Sequence, residues 1–268
     1  MESRYVETLD NPHYRPAGKL EHKIALITGG DSVIGQAVAL AFAKEGADIA
    51  LSYVDAREEV DEVRHLIETY GRRCLLIPGD IGYETPHTQA VIDATIDRFG
   101  EINILVNNAR APQGKTNLLD IASDERAKMF RTLVFSQFII TQKALPHITA
   151  GGAIINTMSV TAYTGSADSI SLSSASGAIV AFTRSLSLSL AAQGIRVNGV
   201  APGVIGHQIT EDSGFPTHSL LVTPPGVTQN RVGYPYEVAP AYVFLASDDA
   251  SYISGQVIHV NGGTIVNE

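Results

Sequence analysis

A few short turns hold the residues best suited to bind a charged ligand. The stretch TGGDSVIG, residues 28–35, follows the apolar run KIALIT and opens the helical pattern IGQAVALAFAKEG. In such a strand-to-helix turn, glycines let the backbone approach a pyrophosphate, which rests on the free N–H groups at the helix start. Thr28, Gly29, Ser32, Ile34 and Gly35 are the candidates there. GDI (79–81) adds Asp80 and Ile81, and NNA (107–109) adds Asn107 and Ala109. Tyr53 ends the run ADIALSY, and Pro202 and Gly203 follow RVNGVA. Turns at strand C-terminal ends form the ligand crevice of open α/β sheets, so these residues predict a cofactor site.

A second group lies where chemistry would follow. Ser159 stands in NTMSVTAY, and SLSSASGAIVAFTRSL (171–186) reads as a helix that starts in small hydroxyl residues. Its Leu172, Ala175, Ile179, Phe182, Leu186 and Leu190 recur at spacings of three and four, which gives one apolar face. That helix carries no group that titrates near neutral pH at its start.

The elements that must position these residues alternate. KIALIT (23–28), ADIALSY (47–53), RCLLIP (73–78), INILVN (102–107), GAIINT (152–157), IRVNGV (195–200) and QVIHV (256–260) read as buried strands. Helical patterns lie between them, the two longest over 122–149 and 171–193. This βαβ order predicts a single Rossmann-like α/β domain, a doubly wound parallel sheet of seven strands, over 23–268. Residues 1–22 read as an extended arm that packs on the body or on a neighbouring subunit, and 204–228 as an active-site lid.

Composition narrows the partners. A formal charge of -9 without Lys/Arg-rich runs excludes nucleic acid and anionic membranes as expected partners and favours a small molecule. The lone Cys74 sits in an apolar run and reads as buried and inert. The start of the chain has no apolar signal segment, and no run of about 18 apolar residues occurs, so a cytoplasmic, soluble protein is expected.

Together, TGGDSVIG, NNA, RVNGVAPGVI (196–205) and ISGQVIHVNGG (253–263) make the chain resemble the short-chain dehydrogenase/reductase family over nearly its whole length. The TGGDS turn and the long arm look like its N-terminally extended subgroup. The resemblance implies a nicotinamide cofactor, and a homodimer or homotetramer assembled through the two long helices. The second strand ends in Ser52-Tyr53 without a carboxylate at its tip, which leans toward NADP(H), although Asp55 makes the lean slight. The family has glycine where this chain has Val33, so weakened cofactor binding is expected.

The same resemblance implies a Tyr and a Lys four residues apart on one helix face, a Ser thirteen residues before the Tyr, and an Asn in the preceding long helix. Here Leu172 stands at the Tyr position, Ser176 at the Lys position and Leu133 at the Asn position; Arg110 replaces the glycine after NNA, and Ser159 is retained. Leucine cannot donate a proton, and serine cannot depress a neighbouring pKa by charge. Carbonyl reduction by the family mechanism is therefore not expected. Hydride addition to an iminium yields a neutral amine and needs no acid. Asp168, four residues before Leu172, could face such a cation or be an exposed loop or helix-capping residue. Arg131 could polarise a carbonyl or form a surface ion pair, and Tyr163 could supply a replacement hydroxyl or simply pack. Arg110, Leu133, Met158, Leu172, Ser176 and Val204 are the expected substrate pocket.

The losses resemble the short-chain-dehydrogenase-derived Diels–Alderases of fungal prenylated indole alkaloid biosynthesis, where a shaped apolar pocket steers a cycloaddition. A non-catalytic cofactor-binding scaffold and an ordinary oxidoreductase with relocated acid residues remain open alternatives.

Overall fold

The computed structural model describes residues 6–55, 57–82, 86–109, 117–206 and 227–266. Seven parallel strands form one sheet in the order β3-β2-β1-β4-β5-β6-β7. They are β1 (Ile24–Ile27), β2 (Asp48–Tyr53), β3 (Cys74–Pro78), β4 (Ile102–Asn107), β5 (Ile148–Thr157), β6 (Arg196–Pro202) and β7 (Val257–Val260). Every residue of β1, β2 and β4 is buried, as expected for strands covered on both faces. The strand order reverses between β1 and β4, which opens a crevice at their C-terminal ends.

The helices are α1 (Val6–Leu9), α2 (Val33–Lys44), α3 (Arg57–Thr69), α4 (Pro86–Phe99), α5 (Ser123–Phe130), α6 (Ser136–Ala144), α7 (Thr161–Thr164), α8 (Ile170–Leu190) and α9 (Pro235–Ala246). On one face of the sheet, Phe42 of α2 and Tyr242 of α9 pack with Ile27 and Leu51. On the other, Val91 of α4, Ile140 of α6 and Leu190 of α8 pack with Leu26 and Leu105.

Two expectations need correcting. The helix read over 122–149 is interrupted: a π-helical turn, Arg131–Phe135, separates α5 from α6. Its cause is local, because the Ser136 hydroxyl occupies the Thr132 carbonyl at 2.5 Å while the Ser136 N–H reaches back to Arg131 O. A tight turn, Leu145–His147, contains Pro146 and ends the helix, so residue 148 already belongs to β5. The arm is not simply extended. It contains α1, and its Leu9 and Leu20 are buried in the core beside α2. Glu45 holds it there, accepting from Tyr14 Oη at 2.5 Å and from the N–H groups of Ala17 and Lys19. Burial, then this hydrogen bond and the carboxylate charge, raise the Tyr14 pKa above its usual value. Finally, Ile170–Gln193 is long and apolar enough by composition to cross a membrane, with a mean hydropathy of 1.3. Serines interleave its apolar residues, and α8 packs on β6 and β5, which makes it a core helix of the domain.

Cys74 is half-buried, and desolvation pushes its thiol pKa up to about 12, so the thiolate that would react is scarce at neutral pH.

Candidate functional site

The crevice has two sides of different character. On the first, the turn 29–32 runs from β1 into α2. Ser32 caps α2, its hydroxyl accepting from Gly35 N–H at 3.0 Å. Gly29 has φ +68°, and a Cβ added there would come 2.2 Å from Asn108 O; one added at Gly35 would come 2.3 Å from Gly29 O. The turn is therefore pressed against the end of β4 with no room for side chains. Asn108 ties it down: Nδ2 donates to Ser32 Oγ at 2.8 Å and lies within 3.4 Å of the Gly29 and Thr28 carbonyls. Thr28 Oγ1 accepts from Asn108 N–H at 3.0 Å and donates to Val106 O.

A dinucleotide fits this side. Its pyrophosphate needs close backbone and a helix N-terminus, and the tight packing at Gly29 and Gly35 brings the turn and the start of α2 together at the end of β4. Val33 opens α2, and its side chain is half-buried and packed, with Ile34, against the core shared with α9. It turns at least part of its bulk away from the crevice, which softens the obstruction expected of it. Tyr53 and Ile81 are buried and belong to the core rather than the open cleft. Asp80 is exposed and accepts from Gly82 N–H at 2.7 Å. Pro202 ends β6, Gly203 donates to Val260 O, and Ala109 lies against Gly29.

Asn107 departs from expectation. Its amide is fully buried beneath the crevice, donating to Thr141 Oγ1 at 2.9 Å and Asn156 Oδ1 at 2.8 Å, so it binds β4 to β5 and α6. The neighbouring Asn108 does the work at the turn. The doubled asparagine of NNA was the available signal, and the opposite directions that successive side chains take at the end of β4 separate the two roles, since both residues are buried.

The second side is built from β5, α7, α8 and the π-helical turn. Leu133, Met158, Ala175 and Ile179 are buried in one apolar cluster, with Leu172 and Tyr163 packed on it. The pocket residues Leu133, Met158 and Leu172 are thus brought together. The hydroxyls around them are used internally. Ser176 is buried and its Oγ accepts from Ser159 N–H at 3.1 Å. Ser159 Oγ accepts from Thr161 N–H at 3.2 Å and Thr161 Oγ1 at 2.9 Å, a partner that the sequence reading did not single out. Ser173 and Ser174 donate back to the carbonyls of Ser169 and Ile170. The start of α8 therefore spends its small polar groups on its own backbone and on the adjoining loop.

The remaining candidates scatter. Asp168 is exposed in the turn before α8, and the residue at the cap position is Ser169. Arg131 lies beside the β3–α4 turn rather than the leucine cluster: a Cβ added at Gly82 would come 3.9 Å from its Cγ. Tyr163 stacks edge-on against His259, with ring centroids 4.5 Å apart, and its hydroxyl is shielded from solvent, which fits packing better than proton transfer. Val204 is exposed near the end of β6. Arg110 and residues 207–226 of the expected lid lie outside the described residues.

Comparisons with known proteins agree with this geometry. A family model described as enoyl-(acyl carrier protein) reductase matches residues 29–264. The chain is 50% identical over 262 residues to the uncharacterized oxidoreductase YhdF of Bacillus subtilis (strain 168), covering 96% of this chain and 89% of that protein. It is 43% identical over 261 residues to the chloroplastic NADPH-dependent aldehyde reductase 1 of Arabidopsis thaliana, covering 95% and 90%. Among solved structures, a short-chain dehydrogenase from Burkholderia cenocepacia J2315 in complex with NADP superposes with a TM-score of 0.83 at 29% identity, over 92% of this chain and 99% of that one. With a glycine turn seated on β4, a seven-stranded parallel sheet and this breadth of similarity, the chain belongs to the short-chain dehydrogenase/reductase family.

Proposed function

We propose that the chain is an NADP(H)-binding oxidoreductase of small-molecule metabolism whose site transfers hydride without a side-chain acid, its natural acceptor being a cation such as an iminium. One observation carries the reading: Leu133, Leu172 and Met158 close into a single apolar cluster where the family resemblance implies a proton relay. Supporting it, Ser176 is buried and its hydroxyl oxygen accepts from Ser159 N–H, so a neutral hydroxyl tied to the loop stands where the family resemblance implies a lysine charge. The NADP complex of the Burkholderia relative and the NADPH dependence in the Arabidopsis relative's name support the cofactor.

When bound, the cofactor supplies the hydride. The Gly29 turn and the start of α2 would hold its pyrophosphate. Leu133, Leu172 and Met158 exclude water and shape the acceptor's apolar body, while Ser159 and Thr161 face it with neutral dipoles. Addition of hydride to an iminium carbon forms a C–H bond and neutralises the nitrogen as its π electrons return to it, so no proton is consumed. Asp168, exposed nearby, offsets the charge of an approaching cation at long range. A cyclisation guided by shape alone needs the same apolar wall, but the redox names of the relatives favour hydride transfer. Phe138, exposed on α6 and packed ring to ring on the half-buried Phe182 of α8, supports assembly as a homodimer or homotetramer through these helices.

The test pairs binding with turnover. NADPH should bind saturably by fluorescence titration. N-methyl-3,4-dihydroisoquinolinium, a permanent cation, should be reduced, whereas neutral ketones and aldehydes should lag by about 10²-fold or more, the usual contribution of proton transfer. Robust reduction of neutral carbonyls would overturn the acid-free reading. Cofactor binding with no turnover of either class would favour a scaffold.

A further inference from the structure

The Asp31 carboxylate meets the backbone of Asp55 just past the tip of β2, although Asp31 is far from that strand in sequence. The glycine turn folds onto the end of that strand. Gly30 N–H donates to Ser52 O at 2.8 Å, and a Cβ added at Gly30 would come 2.4 Å from Leu51 Cγ. That packing fixes where the next residue goes. Asp31 Oδ2 accepts from Asp55 N–H at 3.4 Å, so its carboxylate is held over the backbone just past β2, with Asp55 itself exposed beside it. On the other flank, Gly79 N–H donates to Tyr53 O at 2.7 Å and the Tyr53 side chain is buried, so neither supplies a charge at the tip.

In a doubly wound sheet this tip faces the adenosine ribose. A carboxylate there accepts from a free 2′-hydroxyl and repels a 2′-phosphate, which wants a cation instead. Arg57, the first residue of α3, is the nearest cation to the tip in sequence, whereas Asp31 and Asp55 are both acidic. We propose that Asp31, held against Asp55, is a specificity-determining residue that limits the chain's preference for the 2′-phosphorylated cofactor, so that NADH competes with NADPH. The inference rests on the reading above that the crevice binds a nicotinamide dinucleotide. Both carboxylates reach solvent, so the discrimination is modest and screened by salt.

Dissociation constants for NADPH and NADH, from nucleotide fluorescence titration of the full chain, provide the test without any substrate. Asp31→Asn keeps an oxygen for Asp55 N–H and removes the charge. The NADPH-to-NADH affinity ratio should rise about fivefold at about 10 mM salt, and the gain should shrink at about 0.5 M. Asp55→Asn should move the ratio the same way and guards against a local folding defect in the first variant, with thermal unfolding checked for both. A ratio unchanged in both variants, or one that shifts equally at both salt concentrations, overturns the role of Asp31 while leaving dinucleotide binding intact. Failure of the wild-type chain to bind either nucleotide overturns both readings.

Discussion

The two sides of the crevice treat polar groups in opposite ways. On the nucleotide side, Asn108, Thr28 and Ser32 bond one another and the glycine turn, which packs tightly on the end of β4. On the other, Leu133, Met158 and Leu172 pack as hydrocarbon, and the nearby serines satisfy the backbone of α8 and its preceding loop. The first side is arranged to receive a fixed charged group. The second is arranged to exclude water. On the proposed reading, the first side keeps a hydride donor's seat while the second no longer handles a proton, and substitutions on the two sides should therefore fail in different ways.

The largest effect is expected on the nucleotide side. Gly29→Ala would place a methyl group 2.2 Å from Asn108 O on a residue with φ +68°, where an L side chain is strained whatever the space. The turn must move, at a cost of about 3 kcal/mol, and saturable NADPH binding should be lost. Calorimetry and fluorescence titration together check this. Retained affinity would mean that the pyrophosphate does not lie on this turn.

On the apolar side, Leu133→Asn should cost about 2–3 kcal/mol, because it puts an amide into a cluster that offers it no designed partner. NADPH affinity should change little, so a fall in melting temperature without a fall in affinity separates this side from the first. Combining Leu133→Asn with Leu172→Tyr and Ser176→Lys restores every group of the implied relay. The triple variant should gain slow reduction of a neutral ketone that each single variant lacks. If no gain appears, the route to that chemistry is closed by more than these positions.

Much of this difference was legible in the residues themselves. The continuous apolar runs gave buried strands, because strands covered on both faces cannot alternate, and the strand-to-turn punctuation placed Thr28, Asp80 and Asn107 at one edge. The leucines stood out against the family pattern because the helix around them kept its period. What escaped the reading depended on which way a side chain points or on contacts distant in sequence. Asn107 and Asn108 differ only in the face of β4 they leave, one into the core and one onto the turn. The π-helical turn followed from the Ser136 hydroxyl, a bond no periodicity encodes. Asp31 reached the tip of β2 only because the glycine turn folds across it.

A third, smaller effect tests whether the sheet is electrostatically pinned at the end away from the crevice. Asp48 begins β2 and is almost fully buried; it accepts from Arg73 N–H at 2.9 Å and Nε at 2.7 Å, and pairs with Arg72 at 2.8 Å. Desolvation alone would raise its pKa, but the Arg73 hydrogen bonds and the charges of Arg72 and Arg73 outweigh it and hold the carboxyl below its ordinary value. A depressed folded-state pKa stabilises the fold above the unfolded value near about 3.9, and that stability is lost as pH falls through the folded value. Asp48→Asn should therefore lower stability by about 1–2 kcal/mol at neutral pH, with the two proteins converging in thermal unfolding at the acid end of the range. A constant difference at all pH values would assign the effect to packing.

The smallest effect is expected at Asp168, and it bears on the chemistry of the apolar side. Asp168 lies in the turn that leads into α8, exposed, while Leu172 one turn later packs against the cluster. A carboxylate facing a cation inside a dry pocket would be worth far more than one in water, but an exposed one acts through solvent and is screened. Asp168→Asn preserves shape and removes only charge. With N-methyl-3,4-dihydroisoquinolinium as acceptor, kcat/KM should fall about twofold at low salt and by less near physiological ionic strength, with the melting temperature unchanged. A fall of tenfold or more would mean that the turn closes over the bound cation and buries the carboxylate beside it, giving the apolar side a charged group of its own. No change at any ionic strength would leave the leucine wall alone to account for selection of the acceptor.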